Sequence, residues 1–335
     1  MMGIQAKLQR VESALAELES HGKACRLCPR RCAVDRRKEK TGYCRTGGAA
    51  SLSHALLHFG EEPVLSGPDP CGSDNPVALE EGRGSGAIFF SGCSLKCLFC
   101  QNHQISWREA GVEVNDYALA HSMLDLQEQG AANINLVSPT HVLLPILRAL
   151  HIALPRGLRL PIVYNSHGYE SAAVLQSLDG IIDIYLPDLK YASPSLSEKL
   201  SRAADYSQAA GSALIEMFCQ QPVLEIDHRG VALRGLIVRH LILPGHTEDS
   251  LVILDWLRRR LAPSIGLSLM SQYSPCFLAP EDLRRTITPR EYRRVMDHAM
   301  DLGFENLFVQ PRPFQPGENL IPDFSRDEPF VWQKT

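Results

Sequence analysis

Of the ten cysteines in the chain, seven fall into two tight groups. The tighter group, Cys93-x3-Cys97-x2-Cys100, puts three thiols on one short loop directly behind the apolar run Ala87-Ile88-Phe89-Phe90. Such gaps let a single loop wrap three soft sulfur ligands around one centre, which suits an iron-sulfur cluster or zinc far better than a hard cation. The loop holds no fourth cysteine, so one coordination position must be filled from elsewhere. A tetrahedral zinc site completed by His103 is the alternative that the spacing permits. Gly86 and Gly92 mark places where backbone must turn sharply or approach a neighbour without a Cβ in the way.

The second group is Cys25-x2-Cys28-x3-Cys32-x11-Cys44, threaded by Arg26, Arg30, Arg31, Arg36, Arg37, Lys38 and Lys40 and flanked by Lys23 and Arg45. Four thiols so close in sequence can close a tetrahedral sulfur site, either structural zinc or a second iron-sulfur cluster. The cations would stabilise an anionic thiolate centre, or face an acidic redox donor. Cys71 has no cysteine neighbour and reads as an inert thiol.

These loops need a framework, and the chain is long enough for one. At 335 residues, with 44% hydrophobic and 21% charged residues, it has the composition of a globular enzyme with a sizeable core. A net charge of −4 gives no reason to expect nucleic acid as partner. The clustered cysteines read as metal ligands in a reducing compartment, not as a disulfide scaffold. The N-terminus lacks the apolar core of a signal peptide, and no run is long enough to span a bilayer, so a cytoplasmic enzyme with no membrane partner is expected.

Ile4, Leu8, Val11, Leu15 and Leu18 recur at helical spacing, so residues 4–20 form an amphipathic helix that packs on a core or docks a partner. Residues 50–85 carry little periodicity and much Gly and Pro, and read as a strap. Within it, Glu61 and Glu62 sit in a turn, as surface charge or as contacts to cofactor or substrate. Beyond residue 86 short apolar strands alternate with amphipathic helices: strands at 86–91, 133–138, 160–166, 181–186, 236–243, 266–271 and 305–309, helices starting near 116, 141, 169, 195, 247 and 289. This order predicts parallel βαβ units, and hence an α/β fold with a partial (β/α)6-type parallel barrel behind an N-terminal cysteine-rich module. Asp227-His228-Arg229-Gly230 marks a hairpin insertion. The expected organisation is a metal module with helix and strap over 1–85, the barrel over 86–310 and a tail over 311–335 that covers the barrel's open side or stays loose.

In parallel barrels chemistry gathers where strands end. There stand Ser138-Pro139-Thr140-His141, Asn165-Ser166-His167, Asp188-Leu189-Lys190, Arg239-His240 and Ser271-Gln272-Tyr273. His141, His167 and His240, near this rim, are candidates for proton or substrate contacts.

The three-cysteine loop, with Phe99 just before its last cysteine, resembles the cluster-binding motif of the radical S-adenosylmethionine superfamily. With Phe89-Phe90-Ser91-Gly92-Cys93, Asn133-Ile134-Asn135-Leu136-Val137, Tyr185-Leu186-Pro187-Asp188-Leu189-Lys190 and Leu243-Pro244-Gly245, nearly the whole chain is similar to an uncharacterised branch related to pyruvate formate-lyase activating enzymes. The resemblance implies that Cys93, Cys97 and Cys100 hold a [4Fe-4S] cluster whose fourth iron is chelated by S-adenosylmethionine. Reductive cleavage then releases a 5′-deoxyadenosyl radical that abstracts hydrogen from a substrate. It further implies cofactor contacts from Phe99, Asn135, Ser138, Thr140, Asp188, Lys190 and Arg239. The activating enzymes' Gly-Gly-Glu segment should align near Asn135 to Thr140 and is absent here, so Ser138 and Thr140 would substitute hydroxyls.

Three readings stand at this stage: a glycyl-radical activase acting on a protein, a radical enzyme acting on a small molecule or peptide, and a zinc-stabilised binding module without catalysis. The first two call for an electron donor such as flavodoxin or ferredoxin.

Overall fold

The computed structural model describes residues 3–38, 41–67, 84–107, 110–309 and 321–330. Cys71, the Pro-rich end of the strap and the tail positions 311–320 and 331–335 lie outside the described residues.

The strands are β1 (Ala50–His58), β2 (Ser85–Phe90), β3 (Val112–Val114), β4 (Ile134–Val137), β5 (Ile162–Ser166), β6 (Ile184–Pro187), β7 (Glu225–Ile226), β8 (Ala232–Leu241), β9 (Gly266–Met270) and β10 (Asn306–Val309). They form one sheet in the order β10-β9-β8-β6-β5-β4-β2-β1-β3, with β7 paired on β8. The seven strands from β2 to β10, excluding β3 and β7, run parallel, each paired with the next along the sheet. They are the seven expected from the sequence. Six helical crossovers join them, among them Asp116–Glu128, Leu143–Ala153, Thr247–Arg260 and Pro289–Asp301. The result is an open, partial parallel barrel with helices on its outer face.

Strands in such a layer are covered on both sides, which is why they appear in the sequence as apolar runs. Alternate residues divide them cleanly. Ile88, Phe90, Ile134, Leu136, Tyr164, Tyr185, Val238 and Leu267 pack outward against the helices. Val163, Ile184, Leu186 and Ile237 face the interior, where they meet Val64 and Leu65. These last two belong to the short Pro63–Ser66 helix, so the end of the strap plugs the barrel from inside. Asn133 Nδ2 fixes the plug by donating to Leu65 O at 2.8 Å.

The strap is more ordered than its composition suggests. Residues 50–58 form β1, antiparallel to β2, so the stretch read as a connector extends the main sheet. Its residues alternate only weakly in polarity, and its burial comes from pairing with a strand that the local sequence does not contain. A second antiparallel strand, β3, pairs on β1. The N-terminal helix Ile4–Leu18 buries Val11, Ala14 and Leu18. Lys7, on the expected polar side, is buried as well and donates to Asp183 Oδ2 at 2.5 Å. The hairpin expected near Asp227 is the β7–β8 turn.

Residues 321–330 return to the barrel. Phe324 and Phe330 join Ala87, Phe89, Ile105 and Val137, a cluster on the inner side of β2 and β4. Phe330 stands edge-on to His58 at 4.4 Å between ring centroids, and Phe324 to Phe89 at 5.3 Å. This part of the tail therefore covers the interior on the β1–β2 side.

Candidate active site

The thiol loop leaves β2 at its C-terminal end and is pinned from several sides. Gly92 N donates to Ile105 O, Leu98 N to Leu200 O, Trp107 Nε1 to Cys97 O and Lys96 Nζ to Ser106 O, all between 2.8 and 3.2 Å. Gly92 has φ +89°, and a Cβ there would stand 2.5 Å from Cys44 O and 2.6 Å from Thr46 Oγ1. Glycine is required both for the turn and for this approach. The same contact puts the last cysteine of the N-terminal group against the residue preceding Cys93.

The three thiols make separate hydrogen bonds. Cys93 Sγ accepts from Leu95 N at 3.4 Å, Cys97 Sγ from Ser201 Oγ at 3.0 Å, and Cys100 Sγ lies 3.2 Å from Ser106 Oγ. Burial, followed by the neighbouring Cys97, pushes the Cys100 thiol up to about 12, and Cys93 is raised further by burial, Cys97 and Cys100. Among the described residues no three His, Cys, Asp or Glu side chains are already drawn together as a metal cage. The donor set nevertheless suits a soft metal centre: three thiols on one loop, with Cys97 close enough to raise both Cys93 and Cys100, and a cradle of glycine backbone beside them. His103, the zinc reading's fourth ligand, is turned elsewhere. Its Nδ1 lies 3.2 Å from Cys100 O, and its ring stacks on Phe277 at 4.6 Å and 15°.

Below the loop lies a buried polar column. Arg239, from β8, donates from Nε to Asp188 Oδ1 at 3.1 Å, from Nη1 to Glu61 Oε2 at 3.2 Å and from Nη2 to Asn165 Oδ1 at 2.5 Å. Lys190 Nζ donates to Asp188 Oδ2 at 2.6 Å, and Asn135 Nδ2 to Glu61 Oε1 at 3.0 Å. Burial alone would lift the Asp188 carboxyl, but Lys190 and Arg239 outweigh it and hold it below the usual carboxylate range. Lys190 is itself raised by Asp188 and by Cys97 against the effect of burial, which ties the top of the column to the thiol loop. The turn after β5 supports Asp188 from behind. Gly168 has φ +80°, and a Cβ there would be 2.1 Å from Asp188 O.

Asn135, Asp188, Lys190 and Arg239 are thus brought together, and the link between them is Glu61 from the strap, which the sequence left between surface charge and contact with cofactor or substrate. Asn165 and Ser268 also belong to the column. Period-two alternation from Val163 and Asp188 could have placed Asn165 inward. The remaining expected cofactor contacts lie apart. Phe99 is buried edge-on to Tyr273 at 5.8 Å. Ser138 stands at the end of β4 in the left-handed region, φ +58°, as the turn into Pro139. Thr140 spends its hydroxyl on Glu170 Oε1 at 2.5 Å, together with Ser166 Oγ. That carboxyl lies behind the sheet, where burial raises it to about 7 despite the hydroxyls from Ser166, Thr140 and Tyr164.

The rim histidines are structural supports. His240 points outward, with Nδ1 2.7 Å from Leu189 O and Nε2 2.9 Å from Ser250 Oγ. His167 Nδ1 accepts from Tyr169 N, so Nε2 carries the proton and donates to Ser94 Oγ at 2.9 Å. His141 Nε2 lies 2.8 Å from Ser91 O. The last two therefore brace the residues flanking Cys93.

In the N-terminal module Cys25, Cys28 and Cys44 are buried and Cys32 partly so. Arg31, Ala33 and Arg45 have φ of 42°, 53° and 60°, which folds the chain back tightly around the thiols. Arg36, only 6% exposed, donates from Nε to Cys25 Sγ and from Nη2 to Cys44 Sγ, each at 3.1 Å, and from Nη1 to His141 O at 2.7 Å. Burial pushes the Cys28 thiol up to about 12. Arg30 stacks over Tyr43 at 4.0 Å and donates to Ser94 O at 3.0 Å. Two of the cations read as stabilising the thiolates or facing a redox donor are therefore clamps between the module and the thiol loop, and Arg36 is set on two of the thiols as well.

Among the described residues no helix is long and apolar enough to cross a membrane. No family model matches the sequence. A curated relative, the uncharacterised protein MJ0674 of Methanocaldococcus jannaschii, is 28% identical over 297 residues, 85% of this chain and 77% of that protein. The crystal structure of Streptococcus suis SuiB aligns with 68% of this chain at 12% identity and a TM-score of 0.44. The chain spans 48% of SuiB's length.

Proposed function

We propose that this protein is a radical S-adenosylmethionine enzyme. The observation that carries the reading is the three-thiol loop at the C-terminal end of β2, set against a buried column of charges that reaches it through Lys190. Cys93, Cys97 and Cys100 would hold the [4Fe-4S] cluster. When bound, the cluster and S-adenosylmethionine supply a 5′-deoxyadenosyl radical at the cost of one electron from a donor such as flavodoxin or ferredoxin. The chain's own part is positional. His141 and His167 hold the loop's flanks, and Lys190 places a cation beside Cys97 and Cys100. Arg239 and Asp188 keep the floor of the chamber fixed, and the Phe89, Phe324 and Phe330 cluster shields it from water.

Of the two substrate classes, the aromatic packing of residues 321–330 favours a small molecule or peptide. Phe324 and Phe330 take up interior room that a folded glycine loop would need. The Cys25, Cys28, Cys32 and Cys44 module would carry a second metal, either zinc or an iron-sulfur cluster.

Anaerobic reconstitution with counting of iron, sulfide and zinc tests both cysteine groups together. The expected product is a brown protein that forms 5′-deoxyadenosine from S-adenosylmethionine and dithionite. Cys97→Ala should abolish that product while metal at the N-terminal group remains. A colourless zinc protein that releases no deoxyadenosine sinks the proposal.

A further inference from the structure

Among the described residues, the interior between the Val64 and Leu65 plug and the thiol loop holds three carboxyl groups, Glu61, Glu62 and Asp188, but two permanent cations, Lys190 and Arg239. Both oxygens of Asp188 and both of Glu61 have donors. Glu62 is different. It takes a hydrogen bond from Ser268, yet its Oε2 is buried with no donor. Burial raises its carboxyl, Arg239 only partly opposes this, and the adjacent Glu61 raises it again. Asn135, fully buried, likewise has an unpartnered Oδ1. Its amide cannot be turned to cure this, because Nδ2 already donates to Glu61 and, at 3.1 Å, to Ser85 Oγ.

Two buried acceptors without donors are costly as they stand, and a ligand that brings only N–H donors would meet both. His58 lies 3.8 Å from Glu61, where burial and then Arg239 lower it to about 4.

We infer that Glu62, assisted by Asn135, anchors a ligand through a protonated amine, and that the substrate of this chamber is therefore an ammonium-bearing molecule or side chain. Such a group brings several N–H donors and no acceptor, and its charge favours the ionised form of the Glu62 carboxyl. An aminoacyl ammonium is also present on S-adenosylmethionine itself. Glu62, however, directly precedes the Pro63–Ser66 plug, while the other end of the column, at Lys190, faces Cys97. Only the naming of this ligand as substrate rests on the radical reading. The binding does not.

The test uses the full-length, metal-reconstituted protein without reductant, so that nothing turns over during the measurement. Ligand-observed saturation-transfer NMR is run with n-butylammonium, with n-butanol as the uncharged control, and with S-adenosylmethionine as competitor. The expected result is binding of butylammonium over butanol that S-adenosylmethionine does not displace. It should weaken at least about tenfold in Glu62→Gln, which preserves shape and the Ser268 contact. No preference for the ammonium in the wild-type protein overturns the inference, and so does unchanged binding in Glu62→Gln. If S-adenosylmethionine displaces the probe and loses affinity in the same variant, the anchor serves the cofactor and the substrate assignment falls. Failure of deoxyadenosine formation in the reconstituted enzyme would count against the radical reading alone.

Discussion

Arg239→Leu removes the side chain that holds the interior together. The guanidinium serves Asp188, Glu61 and Asn165 at once, at 3.1, 3.2 and 2.5 Å. Removing one partner of a buried ion pair costs about 3–5 kcal/mol, because the other charge stays buried without compensation. An orphaned neutral acceptor such as Asn165 Oδ1 costs about 1–3 kcal/mol. The penalties overlap, since the three acceptors can shift together toward Lys190 and Asn135, so the expected loss is about 4 kcal/mol. That is a large fraction of the roughly 5–15 kcal/mol that keeps a domain folded. Arg239→Lys keeps the charge but cannot span three acceptors, and should fall between leucine and wild type. Urea unfolding followed by tryptophan fluorescence, with the slopes compared, measures both. Adding Glu61→Gln and Asp188→Asn to Arg239→Leu should recover part of the loss, because no net charge is then stranded. A loss below about 1 kcal/mol in the leucine variant would mean that water reaches these carboxylates in the folded protein. The buried column, and the inference drawn from the buried acceptors beside it, would then be wrong.

Glu170 sets a pH dependence. Its folded carboxyl, raised to about 7 from an ordinary 4.5, holds a proton more tightly than the unfolded chain does, so its contribution to stability is fully present below about pH 4.5 and is lost as pH rises through 7. Glu170→Gln should remove that slope, so that denaturation midpoints of the two proteins diverge from pH 5 to 7 and the difference levels off by pH 8. Gly92→Ala must place a Cβ against Cys44 O from a left-handed backbone, and should displace the N-terminal module from the thiol loop. Metal counting and limited proteolysis should find the variant depleted at both cysteine groups, whereas an alanine at the open Gly157, with nothing within 4 Å of its Cβ, should leave metal content unchanged.

The parallel strands were legible because each is a short apolar run buried on both faces, and several helices because their starts carry local chemistry. Asn115 and Ser193 cap two of them, and Thr288 with Glu291 forms a capping box on a third. What local pattern could not convey was tertiary. The Tyr206–Gln220 helix escaped notice because the preceding helix ends at Arg202 in the left-handed region, φ 54°, with neither Gly nor Pro to mark the break. Glu61 and Glu62 resembled surface charge because the partner that buries them, Arg239, stands 178 residues away from Glu61. His240 was assigned to the rim by its position near a strand end, whereas the alternation that points Arg239 inward must point its neighbour outward.

The basic residues among the N-terminal cysteines change meaning once their depth is known. A solvated arginine beside a thiol needs nothing from it, but Arg36 is out of water, and its Nε and Nη2 both end on sulfur. Neutral thiols are weak acceptors, so a buried guanidinium held between Cys25 and Cys44 is poorly compensated until those sulfurs carry negative charge. Metal binding supplies that charge without asking the buried thiols to ionise alone. The third arm of Arg36 reaches His141 O, and His141 in turn holds Ser91 O, one residue from Gly92 and two from Cys93. Metal at the N-terminal thiols would therefore also settle the backbone from which the Cys93–Cys100 loop is hung, and the two cysteine groups would behave as one structure.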